Sequence, residues 1–592
     1  MTDTIATVVA AHASGRALTD TIEETYARIA RHNDPALFIA LRPKEEALAQ
    51  AARLQAEGPE GKPLFGAPFA VKDNIDVAGL PTTAACPAFA YAPARSAFAV
   101  EKLVAAGAIP IGKTNLDQFA TGLVGVRSPF GTPRNTLRAD LIPGGSSSGS
   151  ATSVGAGLVP FALGTDTAGS GRVPAALNGI VGLKPSLGLL SGSGMVPACR
   201  TLDTISIFAL TVPDAFAVFR AAFGYDAADP YSRPLPAPAL ESPTAPLRIG
   251  VPRADQLLFF DDKEAEAAFA RDVTSVEAIG GRIVPFDFAP FAETAHLLYE
   301  GPWVAERYAA TKPLIETNPG ALHPVTRAII EGARRFDATS AFEAFYRLAT
   351  LRRKTEAAWA DFDVMLVPTM PRPYTIAEVE ADPVRLNSRL GTYTNFVNLL
   401  DLAAIAVPAG LRGDGLPSSV TLVGRSGSDG LLAGLASAIH ARSGAPLGAT
   451  GLSAPGVPAA AGQDGRIAIA VVGAHLAGLP LNRELTELGG RLVREAETAK
   501  DYRLFALDSR PPKPGMLRVA EGTGAAIRLE VWTLEAAAFG AFVARIPSPL
   551  GIGAVRLADG TTVKGFLVEA EAVKAAEDIS RHGGWRAYLG SR

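Results

Sequence analysis

The chain has 592 residues with 56 basic and 59 acidic side chains, a formal charge of −3 that offers no overall basic field for nucleic acid or an anionic membrane surface. Hydrophobic residues make up 48% and charged residues 19%, which excludes a mainly disordered polymer. Two cysteines, Cys86 and Cys199, allow at most one bridge and lack metal-ligand spacing, so the chain reads as a cytoplasmic protein without a metal centre or disulfide framework.

The opening segment carries Asp3 and has no basic stretch leading into an apolar run, so it reads as a helix and not as a secretory signal. No stretch approaches the ~18 uninterrupted apolar residues of a membrane span. From Thr4 to about Ala51 the pattern is helical, with Ile22, Tyr26 and Ile29 on one face. Short apolar runs closed by Gly or Pro then alternate with helical stretches: Phe69–Val71, Ile109–Gly112, Val159–Gly164 and Val364–Val367. Alternation of this kind predicts an α/β domain, a mixed central sheet surrounded by helices. Five prolines between Pro234 and Pro246 read as an exposed connector within it. Gly444–Gly465 is dominated by Gly, Ala, Pro and Ser without apolar periodicity. The sequence therefore divides into a first domain at 1–445, a linker at 446–465 and a smaller α+β domain at 466–592. That last domain has expected strands at Ile467–Val472, Arg503–Leu507 and Ile527–Trp532, and a hairpin turning at Asp559-Gly560.

The chemistry concentrates in Pro143-Gly-Gly-Ser-Ser-Ser-Gly-Ser-Ala151 and Leu163-Gly-Thr-Asp-Thr-Ala-Gly-Ser-Gly-Arg-Val-Pro174. A phosphate-binding loop would need a Gly-Lys-Ser/Thr ending, which is absent. Gly145-Ser-Ser-Ser-Gly149 fits the letters of a nucleophile elbow, but Arg138–Pro143 makes a poor preceding strand. Amide hydrolysis requires a nucleophile, a base, an acid for the departing amine and donors for the oxyanion. None of the seven histidines falls in these motifs, which leaves lysine as the candidate base. Lys72, in Pro68-Phe-Ala-Val-Lys-Asp-Asn-Ile-Asp76, follows an apolar run that would carry it inward. Pairing with Asp73 or Asp76 is the plain alternative. Neutralising a lysine from its ordinary ~10.4 costs about 4 kcal/mol, within what burial supplies.

Together the Lys72 segment, the Gly144–Ser150 loop and Gly164–Arg172 resemble the amidase signature family, and the match continues through Asn178–Pro185, Val367–Pro371 and Ala404–Gly410. The resemblance implies a Ser-Ser-Lys triad, with Ser170 as nucleophile, Ser146 as the bridging serine after a cis peptide and Lys72 as ultimate base. It implies an oxyanion hole from the amides of Thr167, Ala168, Gly169 and Ser170, held by Asp166 and Arg172, with Ser147 in support. No cofactor is implied. The chain departs from the family pattern at Ala168, where glycine is usual, and at Gly171, where a branched apolar residue is common; an Ala168 forced to positive φ would be strained.

Within that family, Thr114–Pro129, the Thr-Ala-Gly-Ser-Gly-Arg variant and the appended domain resemble the allophanate-cleaving branch. This implies that Tyr299 and Arg307 grip a substrate carboxylate while the backbone at Gly122 positions the amide end. A small anionic urea derivative suits a guanidinium, which binds a carboxylate through two donors. Pro302 is expected to open a helix with Tyr299 just before it and Arg307 on its second turn; pairing of Arg307 with Glu300 or Glu306 is the alternative. His475, Glu530 and Arg518 are the polar candidates of the last domain. A homodimer and functional coupling to a urea carboxylase are expected from the resemblance. A general amidase, a component of a transamidosome and an inactive scaffold remain as rivals.

Overall fold

The computed structural model describes residues 4–241, 247–453, 466–520, 522–558 and 562–591. The chain forms two compact units, Met1–Gly456 and Val457–Arg592. Leu447 is buried in the core of the first, and the amides of Gly448 and Ala449 donate to the Gly179 and Gly155 carbonyls. The connector expected from 446 therefore starts later than its composition suggests. Most of it, 454–465, lies outside the described residues, as do 242–246 of the proline-rich stretch.

The first unit is built on one mixed sheet of eleven strands. In chain order these are β1 Phe38–Leu41, β2 Pro68–Lys72, β3 Ile109–Thr114, β4 Phe161–Asp166, β5 Val181–Lys184, β6 Thr204–Ala209, β7 Arg248–Pro252, β8 Arg282–Phe286, β9 Val364–Pro368, β10 Leu402–Leu411 and β11 Pro417–Arg425. Their order across the sheet is β1-β3-β2-β4-β6-β5-β10-β11-β9-β7-β8. Successive residues of a strand face opposite sides. Phe69, Val71, Phe161, Leu163, Ile205 and Ile207 enter one apolar cluster, whereas Ala70, Ala162 and Phe208 join a second one with Ala151 and Val154 of the helix Ser148–Gly155. Because both faces are covered, the strands read as unbroken apolar runs.

The amino-terminal region is not continuously helical. Helices Ile5–Ala13, Leu18–His32 and Lys44–Glu57 are interrupted by β1, which pairs antiparallel with the end of β3. Four apolar residues carry no period long enough to tell a strand from a helical turn. β2 runs parallel to both β3 and β4, so their carboxyl-terminal ends lie side by side. Lys72 ends β2 and Asp166 ends β4, which places the candidate base and the start of the candidate nucleophile loop at the same end of two adjoining strands.

The second unit has a five-stranded sheet, β13-β16-β12-β18-β17, and a three-stranded one, β15-β14-β19. Its strands are β12 Arg466–Val471, β13 Arg491–Glu497, β14 Tyr502–Leu507, β15 Lys513–Arg518, β16 Arg528–Glu535, β17 Leu550–Arg556, β18 Thr562–Val568 and β19 Glu577–Asp578. Trp532, Leu534, Phe566 and Trp585 lie in its core. The expected hairpin is β17 with β18; its turn at Asp559-Gly560 falls outside the described residues. β13 escapes sequence reading because it is a charged, exposed edge strand. Among the described residues no helix is long and apolar enough to cross a membrane.

The β5 strand packs directly beneath the nucleophile loop: a Cβ on Gly182 would stand 2.1 Å from the Gly171 carbonyl oxygen. Gly182→Ala should therefore lower stability by about 1–3 kcal/mol and displace the loop. Thermal unfolding together with amidase turnover checks this; an unchanged enzyme would show that the backbone yields there without cost.

Candidate active site

Lys72 is completely buried, and its Nζ donates to Ser146 Oγ and to Thr165 Oγ1, both at 2.7 Å. The two carboxylates nearest in sequence are engaged elsewhere. Asp73 pairs with buried Lys113 at 3.0 Å, and Asp76 accepts from Thr82 and Tyr91. Burial pulls the Lys72 amine down to about 7, against the opposing pull of Asp117, Asp203 and Asp166. A lysine poised there can take a proton and return it. Thr165, its second hydroxyl partner, is a residue that sequence reasoning missed; only its place at the end of the strand beside β2 could have signalled it.

Ser146 follows a cis Gly145–Ser146 peptide and precedes the helix Ser148–Gly155. No strand precedes Gly145, only an isolated bridge at Leu141, so the segment is not a nucleophile elbow. Every residue of that helix is buried, which explains its small side chains: a Cβ on Gly149 would stand 2.6 Å from the Leu37 carbonyl oxygen. Ser147 Oγ donates to the Thr165 carbonyl at 3.2 Å and fastens this loop to β4.

The nucleophile loop is organised by one carboxylate. Asp166 takes both forks of Arg172, at 2.9 and 3.0 Å, and accepts the amides of Gly169 at 2.9 Å and Gly171 at 3.0 Å. The Gly169 amide is thereby spent, which corrects its expected place among the oxyanion donors. The amides of Ala168 and Ser170 meet no acceptor among the described residues and remain available; Thr167 stays a candidate, with its hydroxyl bonded to Asp203. Positive φ falls on Gly169, at +124°, and not on Ala168, so alanine sits there without strain. Gly171 is small because a Cβ would stand 2.5 Å from that of Ser206 on β6. Ser170 is buried, and among the described residues its hydroxyl makes no hydrogen bond to Ser146.

Arg307 is 1% exposed. It donates to Cys199 Sγ at 2.9 Å and to Tyr299 Oη at 3.5 Å, lies over the Tyr299 ring with 5.0 Å to its centroid, and leaves Nε without a partner. Glu306 instead binds Thr201, and Glu300 pairs with His296. Both residues sit differently on their helices than expected: Tyr299 closes Ala289–Glu300, and Arg307 lies in the first turn of Val304–Thr317, because the Gly301-Pro302 break falls between two helices. Gly122 has φ +156°, and a Cβ there would stand 2.6 Å from Asp117 Oδ2. Its neighbour Leu123 accepts the Gly145 amide at 2.9 Å, which ties this loop to the Ser146 loop.

Comparison with known proteins accords with this geometry. The family model "Amidase" matches residues 20–433, and "Allophanate hydrolase C-terminal domain" matches 467–590. The chain belongs to the amidase family. It is 45% identical over 570 residues to a urea amidolyase of Saccharomyces cerevisiae, covering 93% of this chain and 31% of that protein. It is 34% identical to a glutamyl-tRNA(Gln) amidotransferase chain of Geobacillus kaustophilus, covering 69% of this chain and 90% of that one. The solved structure of Kluyveromyces lactis allophanate hydrolase matches with a TM-score of 0.73 and 42% identity, over 100% of this chain and 99% of that one. This chain thus spans about a third of the length of the urea amidolyases it resembles.

In the second unit of this amidase, His475 bonds Glu484 at 3.0 Å and stacks on Phe566 with 5.1 Å between centroids, and burial lowers its basicity. Glu530 is occupied by the Ala477 amide, Trp532 Nε1 and Arg586. Arg518 is exposed at the end of β15. The three candidates do not bond to one another.

Because Lys72 must be neutral to accept a proton, kcat/KM should fall about tenfold per pH unit below about 7 and level off above it. A profile flat between pH 5 and 8 would exclude lysine as the base. Lys72→Ala and Ser170→Ala should each lose on the order of 10⁴-fold in kcat with the fold intact by circular dichroism; a merely tenfold loss in the lysine variant would point to another base.

Proposed function

We propose that this amidase hydrolyses allophanate, the carboxylate of urea. The observation that carries the reading is the buried guanidinium of Arg307, whose hydrogen bonds among the described residues go to Cys199 and Tyr299 and to no carboxylate. An unpaired buried cation is costly to keep, and a ligand carboxylate accounts for it. Tyr299 supplies a hydroxyl beside the same guanidinium. The K. lactis allophanate hydrolase structure supports the same assignment.

Ser146 passes the Ser170 proton to neutral Lys72 as Ser170 Oγ attacks the terminal ureido carbon, with the oxyanion received by the free amides of the nucleophile loop. The tetrahedral intermediate collapses as the protonated lysine, through Ser146, returns the proton to the nitrogen, and ammonia leaves. Water then attacks the N-carboxycarbamoyl ester by the same relay in reverse. Ser170 is restored and N-carboxycarbamate released, which breaks down to a second ammonia and carbon dioxide. A hydroxyl suits the relay because it accepts and donates at once. Allophanate equals urea plus carbon dioxide, so a urea-carboxylating reaction must supply it; the further length of the urea amidolyase relatives is consistent with such a partner.

Arg307→Ala should raise KM for allophanate by about a hundredfold with a smaller change in kcat, the expected cost of one forked charged contact. Wild-type enzyme should release two ammonia per allophanate and favour it over acetamide and glutamine; preference for a neutral amide would remove the substrate assignment.

A further inference from the structure

Arg307 is not alone in being a buried guanidinium that makes no ion pair among the described residues. Arg127, in the same Thr114–Pro129 segment as Gly122, is 1% exposed. Its Nη1 donates to the Thr121 carbonyl at 2.9 Å and its Nη2 to the Pro383 carbonyl at 2.5 Å, while Nε is buried without an acceptor. Two of its five N–H groups are therefore used, both on neutral oxygens. The carboxylate that acts on it, Asp117, does so through space and accepts no hydrogen bond from its guanidinium among the described residues. That carboxylate is committed to the amides of Val124, Gly125 and Arg127 itself, and so holds the loop.

Two observations place this cation at the substrate end of the site. The Gly122 backbone lies against it, since a Cβ there would stand 3.1 Å from Arg127 Nη1. Tyr299, which bonds Arg307, also feels the charge of Arg127. Two guanidiniums that cannot shed their protons, and that make no ion pair among the described residues, thus act on Tyr299. We propose that Arg127 is a second specificity-determining residue, which acts with Arg307 and Tyr299 to select amides that carry a carboxylate. This rests on the allophanate reading and adds to it: the discrimination belongs to a pair of buried cations, one of them in the loop that positions the amide end.

The test uses malonamate and malonamide, which share a shape with allophanate and differ from one another by the carboxylate. Their binding to the Ser170→Ala enzyme is measured by calorimetry, free of turnover. The parent should bind malonamate more tightly. Adding Arg127→Gln should weaken malonamate by about tenfold or more while malonamide changes by less than about threefold, a tenfold change being about 1.4 kcal/mol. Equal weakening of both ligands would make Arg127 a support for its loop, and no change in either would remove it from the site; each result overturns the proposal while leaving the substrate reading intact. Equal affinity of the parent for the two ligands overturns that reading and the proposal with it. Should the glutamine variant fail to fold, Arg127→Lys keeps the charge and loses the fork. It should retain the malonamate preference while binding both ligands within about tenfold of the parent, and loss of that preference would contradict a role through charge.

Discussion

A primary amine held inside a protein without a counter-ion is the constraint around which this site is arranged. Lys72 stands at the end of a strand buried on both faces, and among the described residues its hydrogen bonds go to two neutral hydroxyls, Ser146 and Thr165. In water the amine would hold its proton at pH 7; stripped of water it is poised to give it up. The parallel pairing of β2 with β4 brings Thr165 alongside, and the small-residue helix lets the Ser146 loop approach closely enough for contact. In the proposed mechanism this architecture takes the part that an imidazole and its carboxylate play in other hydrolases.

The buried cations divide by what their chemistry allows. Lysine can escape the cost of burial by losing a proton, and Lys72 is tuned to do so. Arginine cannot, so Arg307 and Arg127 remain charged and must find oxygen atoms. Arg172 finds them in Asp166 and becomes part of the scaffold of the nucleophile loop. Among the described residues Arg307 and Arg127 donate only to neutral groups, the proposed basis for binding an anionic ligand. One side of the site is in this way suited to a reversible proton and the other to a permanent negative charge.

Much of this was legible in the sequence because the informative residues are clustered. Lys72, Ser146 and Ser170 lie in short motifs whose small residues and missing histidine narrow the chemistry, and the strands at 69–71, 109–112 and 364–367 were readable from length and closing glycines or prolines. Structure was needed wherever the signal is a contact between distant segments. Thr165 matters because a neighbouring strand ends beside Lys72, and Arg127 because Thr121, Pro383 and Gly122 converge on it. The spending of the Gly169 amide on Asp166 follows from a turn that no letter pattern announces. β1 and β13 were missed for opposite reasons, one too short to show a period and the other too charged to look like a strand.

The most direct test is to observe the Lys72 amine itself. Enzyme carrying lysine labelled with ¹³C at Cε, assigned by comparison with Lys72→Met, should show one lysine signal titrating near pH 7, far below the remainder. A Lys72 signal that stays protonated until about pH 10 would mean that the amine carries its charge throughout the working range, and the relay through Ser146 would have no acceptor.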